Sequence, residues 1–342
     1  MCVLQREKTC RDFRTVATLQ CGIFRTFPGR LRIRCMRSTL KFVAAVFILA
    51  VSLPAAEPRA KMPSKVASAE YRDVEVRLKP LAKELGKPKP GEWLFEHKEA
   101  GQSFAEYLQS QPIRRSSQWN TIHICVIGDV TTDQQRVIDI TRDYLEIVFD
   151  TPVKVGTPVP LAEIPASAQR TNPQTDADQI LSKYVLDDIL KVNRPGNALA
   201  SLAFTSHDLW PGKGWNFVFG QASLRERTGV WSMHRFGDPS RSKEAFQLCL
   251  GRTLGTAAHE TSHILSMPHC KTYVCSLNGS NNLTEADQKP LHLCPVCLRK
   301  LCWNLQVDPV TYLGKLEAFC RQHAFDEDAD WYRRAIEVLK KE

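Results

Sequence analysis

Glu244 to Cys270 reads EAFQLCLGRTLGTAAHETSHILSMPHC. Apolar residues recur at helical spacing from Glu244 to Leu265, which specifies a helix. On it His259 and His263 are four positions apart, so at 3.6 residues per turn their imidazoles share a face and can reach one ion. Glu260 is offset by one residue and stands beside that ion, where a base takes a proton from a water whose pKa the metal lowers. Pro268 ends the helix by about Met267, and His269 arrives beyond it as a third ligand, leaving a fourth position open. Ala257, Ala258, Ile264 and Leu265 surround the motif with apolar groups that suit a buried helix rather than one merely facing solvent. The residues thus point to a catalytic zinc on His259, His263 and His269, with Glu260 as general base.

Four cysteines follow at once. Cys270, Cys275, Cys294 and Cys297 have the spacing C-x(4)-C-x(18)-C-x(2)-C. Two short loops that each present two thiolates are what a closed tetrahedral zinc site uses, so a second, structural zinc is expected here. Disulfides are the competing reading, with Cys294 and Cys297 closing a small redox loop. Cys125, Cys249, Cys302 and Cys320 show no such spacing and read as core or free thiols. His207, His234, His292 and His323 have no partner at ligand spacing and read as ordinary surface or core residues.

Outward from the motif, the chain reads as α/β first and then as a cysteine-rich, mostly helical tail. Thr121 to Val130 (TIHICVIGDV) has the β-branched content of a buried strand; a helix over Thr131 to Asp150 and a strand over Pro152 to Leu161 complete a β-α-β unit. A further helix is expected over Asp176 to Asn193 and a strand over Ala198 to Thr205. A turn at Pro211 to Gly214 then leads into aromatic-rich strands at Trp215 to Gln221 and Gly229 to Met233.

The 342 residues are 43% hydrophobic, ordinary for a globular protein with a real core. Their formal charge of +9 is concentrated at one end. Residues 1–35 hold eight basic side chains against Glu7 and Asp12, and Arg37 and Lys41 add two more, so the body is near neutral. A general phosphate-binding surface, and with it a nucleic-acid partner, is not indicated. Arg37 and Lys41 precede the apolar run Phe42 to Leu53 and then Pro54, Ala55 and Ala56, the order of a secretory signal peptide beginning at Met36. The run is too short to span a bilayer comfortably, and no stable membrane anchor is expected. The expected organisation is a non-native or disordered extension (1–35), a signal peptide (36–56) and a linker or loosely packed lead-in (57–91). Export to a periplasmic or extracellular space follows, with a cytoplasmic protein carrying a basic tail as the alternative.

The spacing H-E-x-x-H-x-x-x-x-x-H resembles the metzincins, and its continuation into four cysteines is similar to the archaemetzincins among them. The resemblance extends to Glu99 to Ser110 (EAGQSFAEYLQS), to Pro211 to Ala222 (PGKGWNFVFGQA) and through Lys300. It implies a zinc metallopeptidase domain over 92–324 followed by a C-terminal helix (325–342). The fold it implies is α/β (α+β): a mixed twisted sheet, an active-site helix and a cysteine-rich helical subdomain. It also implies two zinc ions per chain, peptide or protein substrates, a monomer, and an edge strand at Trp215 to Gln221 bordering the cleft. The sequence departs from the family pattern at three places. Ser266 stands where the family has a glycine at positive φ, a conformation that costs a non-glycine residue about 1–3 kcal/mol. Leu277 replaces a methionine, and Gly279 occupies a position where some metzincins carry a tyrosine. The alternative from another functional class is a catalytically inactive zinc-binding protein using the four cysteines as a protein or nucleic-acid interaction module.

Overall fold

The computed structural model describes residues 2–4 and 71–341. The expected signal peptide at 36–56 and the start at Met36 lie outside the described residues. The strands are β1 (Cys2–Leu4), β2 (Thr121–Ile127), β3 (Val153–Val155), β4 (Gln169–Thr171), β5 (Asp178–Leu181), β6 (Ala198–Thr205), β7 (Asp208–Trp210), β8 (Gly220–Ser223) and β9 (Thr228–Ser232). The helices are α1 (Arg72–Leu78), α2 (Trp93–Glu96), α3 (Phe104–Gln109), α4 (Thr132–Val148), α5 (Ser182–Tyr184), α6 (Lys243–Ile264), α7 (Leu283–Ala286), α8 (Pro295–Leu305), α9 (Pro309–Gln322) and α10 (Asp326–Lys340).

A mixed six-stranded sheet in the order β1-β8-β9-β6-β2-β3 forms the frame. β3, β2, β6 and β9 run parallel, whereas β8 is antiparallel to β9. All eight residues of β6 (ALASLAFT) are buried, as a central parallel strand covered on both faces requires. α4 starts at a capping box, Thr131 with Gln134, and sends Val137, Ile138, Tyr144 and Leu145 into the core beside α6. A small sheet, β4-β5-β7, packs beyond the main one.

Several local expectations differ from the structure. The helix expected over Asp176 to Asn193 is strand β5 at its start, with helix only in α5 and the π-helical turn Val185–Leu190. Ile180 and Leu181 satisfy either period; pairing with β4 and β7 decides for the strand. The strand expected from Pro152 to Leu161 is continuous only over the three residues of β3, and its pairing resumes as a single bridge between Val159 and Ile127. Trp215 to Phe219 is irregular apart from a bridge between Val218 and Leu209, and the strand begins only at Gly220. Nor is β8 an edge. Cys2–Leu4, expected to lie in a disordered extension, pairs with it in parallel and occupies its outer backbone groups. The lead-in is not loose beyond residue 71 either: Val74 and Leu78 of α1 are buried, Arg299 of α8 pairs with Glu75 at 2.7 Å, and Arg77 donates to the Val338 carbonyl of α10. Among the described residues no helix is long and apolar enough to cross a membrane.

Candidate metal centre

α6 begins at Ser242, whose hydroxyl accepts from the Ala245 amide, and runs under the sheet to Ile264. Its last turns, Ala257 to Ile264, are buried without exception. The exit is abrupt. Ser266 adopts φ +67°, the left-handed conformation that reverses the chain, and its amide donates to the His263 carbonyl at 2.8 Å. The strain of a non-glycine residue there is offset by the Ser266 hydroxyl, which accepts from the Ile113 amide at 3.2 Å. α3 and the segment before it brace the same exit. Tyr107 donates to the Leu265 carbonyl at 3.0 Å, Gln102 donates to the Ser266 carbonyl at 3.4 Å, and the buried Lys300 donates to Gln102. Asn304 of α8 completes the brace, donating to the Tyr107 hydroxyl and the Ile113 carbonyl.

The reversal returns His269 to the two helix histidines. One ligand atom from each of His259, His263 and His269 lies within 4.8 Å of the others, and all three residues are buried. Each Nδ1–H is committed. His259 donates to the Ser276 carbonyl at 2.8 Å, His263 to the Met267 carbonyl at 2.6 Å, and His269 to the Glu99 carboxylate at 2.9 and 3.0 Å. That fixes the tautomer and leaves every Nε2 as a lone pair. The Nε2 atoms of His259 and His263 are 2.9 Å apart, and the buried His269 Nε2 has no hydrogen-bond partner among the described residues. Three lone pairs converging in a buried space repel one another unless a cation stands between them, so the donor set fits zinc. Burial, reinforced by the Lys289 charge, holds His259 well below the ordinary imidazole range; burial and the neighbouring His269 do the same for His263. Both are thereby kept in the neutral, ligating form.

Glu260 is fully buried beside β8, its Cγ at ordinary contact distance, 3.5 Å, from where a Cβ on Gly220 would stand. Glu99 and Trp93 belong to the same centre and are not distinguished by the sequence motif. The Trp93 indole donates to Glu99 at 3.1 Å and meets the His269 ring edge-on, centroids 5.1 Å apart. Burial pushes the Glu99 carboxyl up, but the bonds from His269 and Trp93 outweigh it and hold the group below its usual range. Trp93 also accounts for Gly279, because any side chain at that position would overlap the indole. Leu277 is fully buried, its carbonyl accepting from the Cys270 amide at 2.8 Å.

Cys270, Cys275, Cys294 and Cys297 form a second cluster immediately behind the first, their sulfurs within 4.8 Å of one another. All four are free thiols, with the Cys270 and Cys294 sulfurs 3.7 Å apart, so the disulfide reading does not hold. The Cys275 sulfur accepts from the amides of Leu277 and Cys294, and bonds from the three other thiols push Cys270 down. Cys125, Cys249 and Cys320 are instead pushed up by burial, to about 12, 11 and 12, which marks inert core thiols. The His292 ring is bound to Asp328 at 2.6 Å and stacks on Trp331, so it is engaged there rather than with either cluster.

A buried helix bearing H-E-x-x-H and a third histidine returned to it by a sharp reversal define a zinc metallopeptidase. The sequence profile of Peptidase family M54 matches residues 174–302. Archaemetzincin-2 of Pongo abelii is 33% identical over 244 residues, covering 62% of this chain and 67% of that protein. Archaemetzincin of Thermococcus kodakarensis is 37% identical over 134 residues, covering 38% of this chain and 69% of that protein. The crystal structure of an archaemetzincin from Methanopyrus kandleri is 26% identical, covers 56% of this chain and 99% of that one, and gives a TM-score of 0.45. The chain belongs to the archaemetzincin family.

Proposed function

We propose that this protein hydrolyses peptide bonds with Glu260 as general base and with one zinc held by His259, His263 and His269. The observation that carries the reading is the commitment of all three Nδ1–H groups, to Ser276, Met267 and Glu99, which turns three Nε2 lone pairs onto one point, with the buried Glu260 next to His259 on the same helix. When bound there, zinc supplies Lewis acidity, polarising the scissile carbonyl and lowering the pKa of water toward neutrality. Glu260 accepts the proton of the attacking water and returns it to the departing amine. Glu99 holds His269 in its ligating tautomer.

The four-cysteine cluster holds a second zinc with no open position, giving two ions per chain. Its role is structural, since it fastens the segment after His269 to the start of α8. The protein acts as a monomer on peptide or protein substrates and is exported through a signal peptide cleaved near Ala56. Glu260→Gln tests the mechanism. The amide keeps size and hydrogen bonding but cannot accept a proton, so cleavage should fall by about 10² to 10⁴ while elemental analysis still finds both metals. Near-normal turnover in that variant would remove Glu260 from its role. Zinc-loaded protein that cleaves nothing in a broad peptide library would favour the non-catalytic zinc-binding reading instead.

A further inference from the structure

The connection from β7 to β8, Pro211 to Phe219, delivers the chain to Gly220, whose Cβ position stands 3.5 Å from the Glu260 Cγ. The small sheet fixes this connection from one side. Arg170 of β4 donates to the Trp215 and Asn216 carbonyls at 3.2 and 2.9 Å, and Gln179 of β5 donates to the same Asn216 carbonyl at 3.0 Å. The Asn216 side chain accepts from Asn172 at 3.1 Å and donates to Gln174 at 2.7 Å. Gln179 also donates to the fully buried Asp208 at 2.7 Å; that carboxylate takes Arg235 through bonds of 2.9 and 2.7 Å, and the Arg235 guanidinium lies over the Phe217 ring at 3.6 Å. Two consecutive carbonyls are thereby turned toward the small sheet, and the backbone around them is held by polar bonds in which the indole of Trp215 takes no part.

That indole is the exception among its kind. Of the seven tryptophans in the chain only Trp215 is exposed, at 38%. A tryptophan that served the stability of the loop would be packed against it, as this residue type is on average. Here a rigid loop instead presents a large apolar surface whose two side-chain torsions cost little entropy to fix on contact with a partner. The segment that carries it also runs beside the base. Trp215 precedes Gly220 by five residues, at most about 18 Å of chain, so a peptide extended through the metal centre at about 3.3 Å per residue passes it within about five residues of the scissile bond. β1 pairs only with Gly220 to Ala222 and not with Trp215. We infer that Trp215 is a specificity-determining residue that packs against an apolar side chain of the substrate peptide, aromatic in preference to small. The inference rests on the peptidase reading, which supplies an extended peptide as the partner.

The test uses zinc-loaded full-length protein and one parent peptide, with Phe or Ala placed singly at each of five positions on either side of the cleaved bond. At one position Phe should raise kcat/KM over Ala by about tenfold, the scale of a well-packed aromatic anchor, mainly through KM. Trp215→Ala should bring that ratio close to one, and Trp215→Phe should keep most of it. Because the small sheet grips backbone carbonyls and Asn216, both variants should retain the zinc content and melting temperature of the wild type, which separates lost contact from misfolding. A peptide array probed with the Glu260→Gln protein, in which bound peptides stay intact, reads binding without cleavage. If no peptide is cleaved by the wild type, yet the array binders are enriched in Phe, Trp and Leu and lose that enrichment when Trp215→Ala is added, the contact stands and the peptidase reading falls. Cleavage with a Phe to Ala ratio near one at every position, a ratio undiminished in Trp215→Ala, or no apolar preference in either experiment overturns the inference.

Discussion

Ser266 shows how one residue can depart from a family pattern without breaking the site. Its φ of +67° is the value the reversal demands, and its hydroxyl takes the Ile113 amide that a glycine would leave without this partner. Ser266→Ala keeps the strain and loses the bond, so it should destabilise the zinc-loaded protein by about 1–2 kcal/mol in denaturant unfolding. Ser266→Gly loses the same bond but relieves the backbone by about 1 kcal/mol, and should be the milder change. Glu99 is a second residue with a measurable task. Glu99→Ala frees the His269 ring and should weaken zinc at the three histidines about 10- to 100-fold, read by competition with a chelator of known affinity. The histidines, Glu260 and the cysteines were legible because their chemistry is written in local spacing, four residues along a helix or a short loop between thiols. Glu99 sits 170 positions from His269, and no period connects the two.

Elements were legible where burial is one-sided or complete and illegible where partners decide. β6 and α4 follow from their patterns because a central strand is apolar throughout and an amphipathic helix repeats every 3.6 residues. Asp178–Leu181 is too short to show a period, and pairing on both sides makes it a strand. Trp215 to Phe219 has strand-like composition but is held as a loop by side chains: Arg170 donates to the Trp215 and Asn216 carbonyls, and Arg235, paired with the buried Asp208, lies over the Phe217 ring at 3.6 Å. The β8 edge carries a functional consequence. Cys2–Leu4 occupies the backbone groups that an extended peptide would use. A chain beginning at Glu57, as signal cleavage near Ala56 would leave it, lacks that strand. In the Glu260→Gln background it should bind a peptide ligand several-fold more tightly than the full-length chain by fluorescence anisotropy. Equal affinities would show that substrate does not pair with β8.

At the scale of the whole molecule, the histidine and cysteine clusters are consecutive parts of one segment. Cys270 follows His269 directly, and Cys275 precedes Ser276, whose carbonyl fixes His259. The four-sulfur cluster ties that segment to Cys294 and Cys297 at the start of α8, and α8 in turn carries Asn304 and Lys300, which brace the exit of α6. The positions of His259 and His269 therefore depend on the cysteine cluster, whereas the cysteines are held by their own loop bonds: Asn278 donates to the Cys270 and Tyr273 carbonyls and accepts from the Cys275 amide. Structural zinc contributes on the order of 10 kcal/mol to the folding of the segment that binds it, far more than any single bond in the loop. Cys297→Ser should consequently release zinc from both clusters, with elemental analysis falling well below one ion per chain and a lowered melting temperature. His263→Ala removes one donor from a site whose frame stands without it, and should retain one zinc per chain with a nearly unchanged circular dichroism spectrum. If Cys297→Ser kept one zinc and full peptidase activity, the histidine centre would be independent of the cluster behind it, and the sulfurs would have to serve some purpose other than holding the active-site loop.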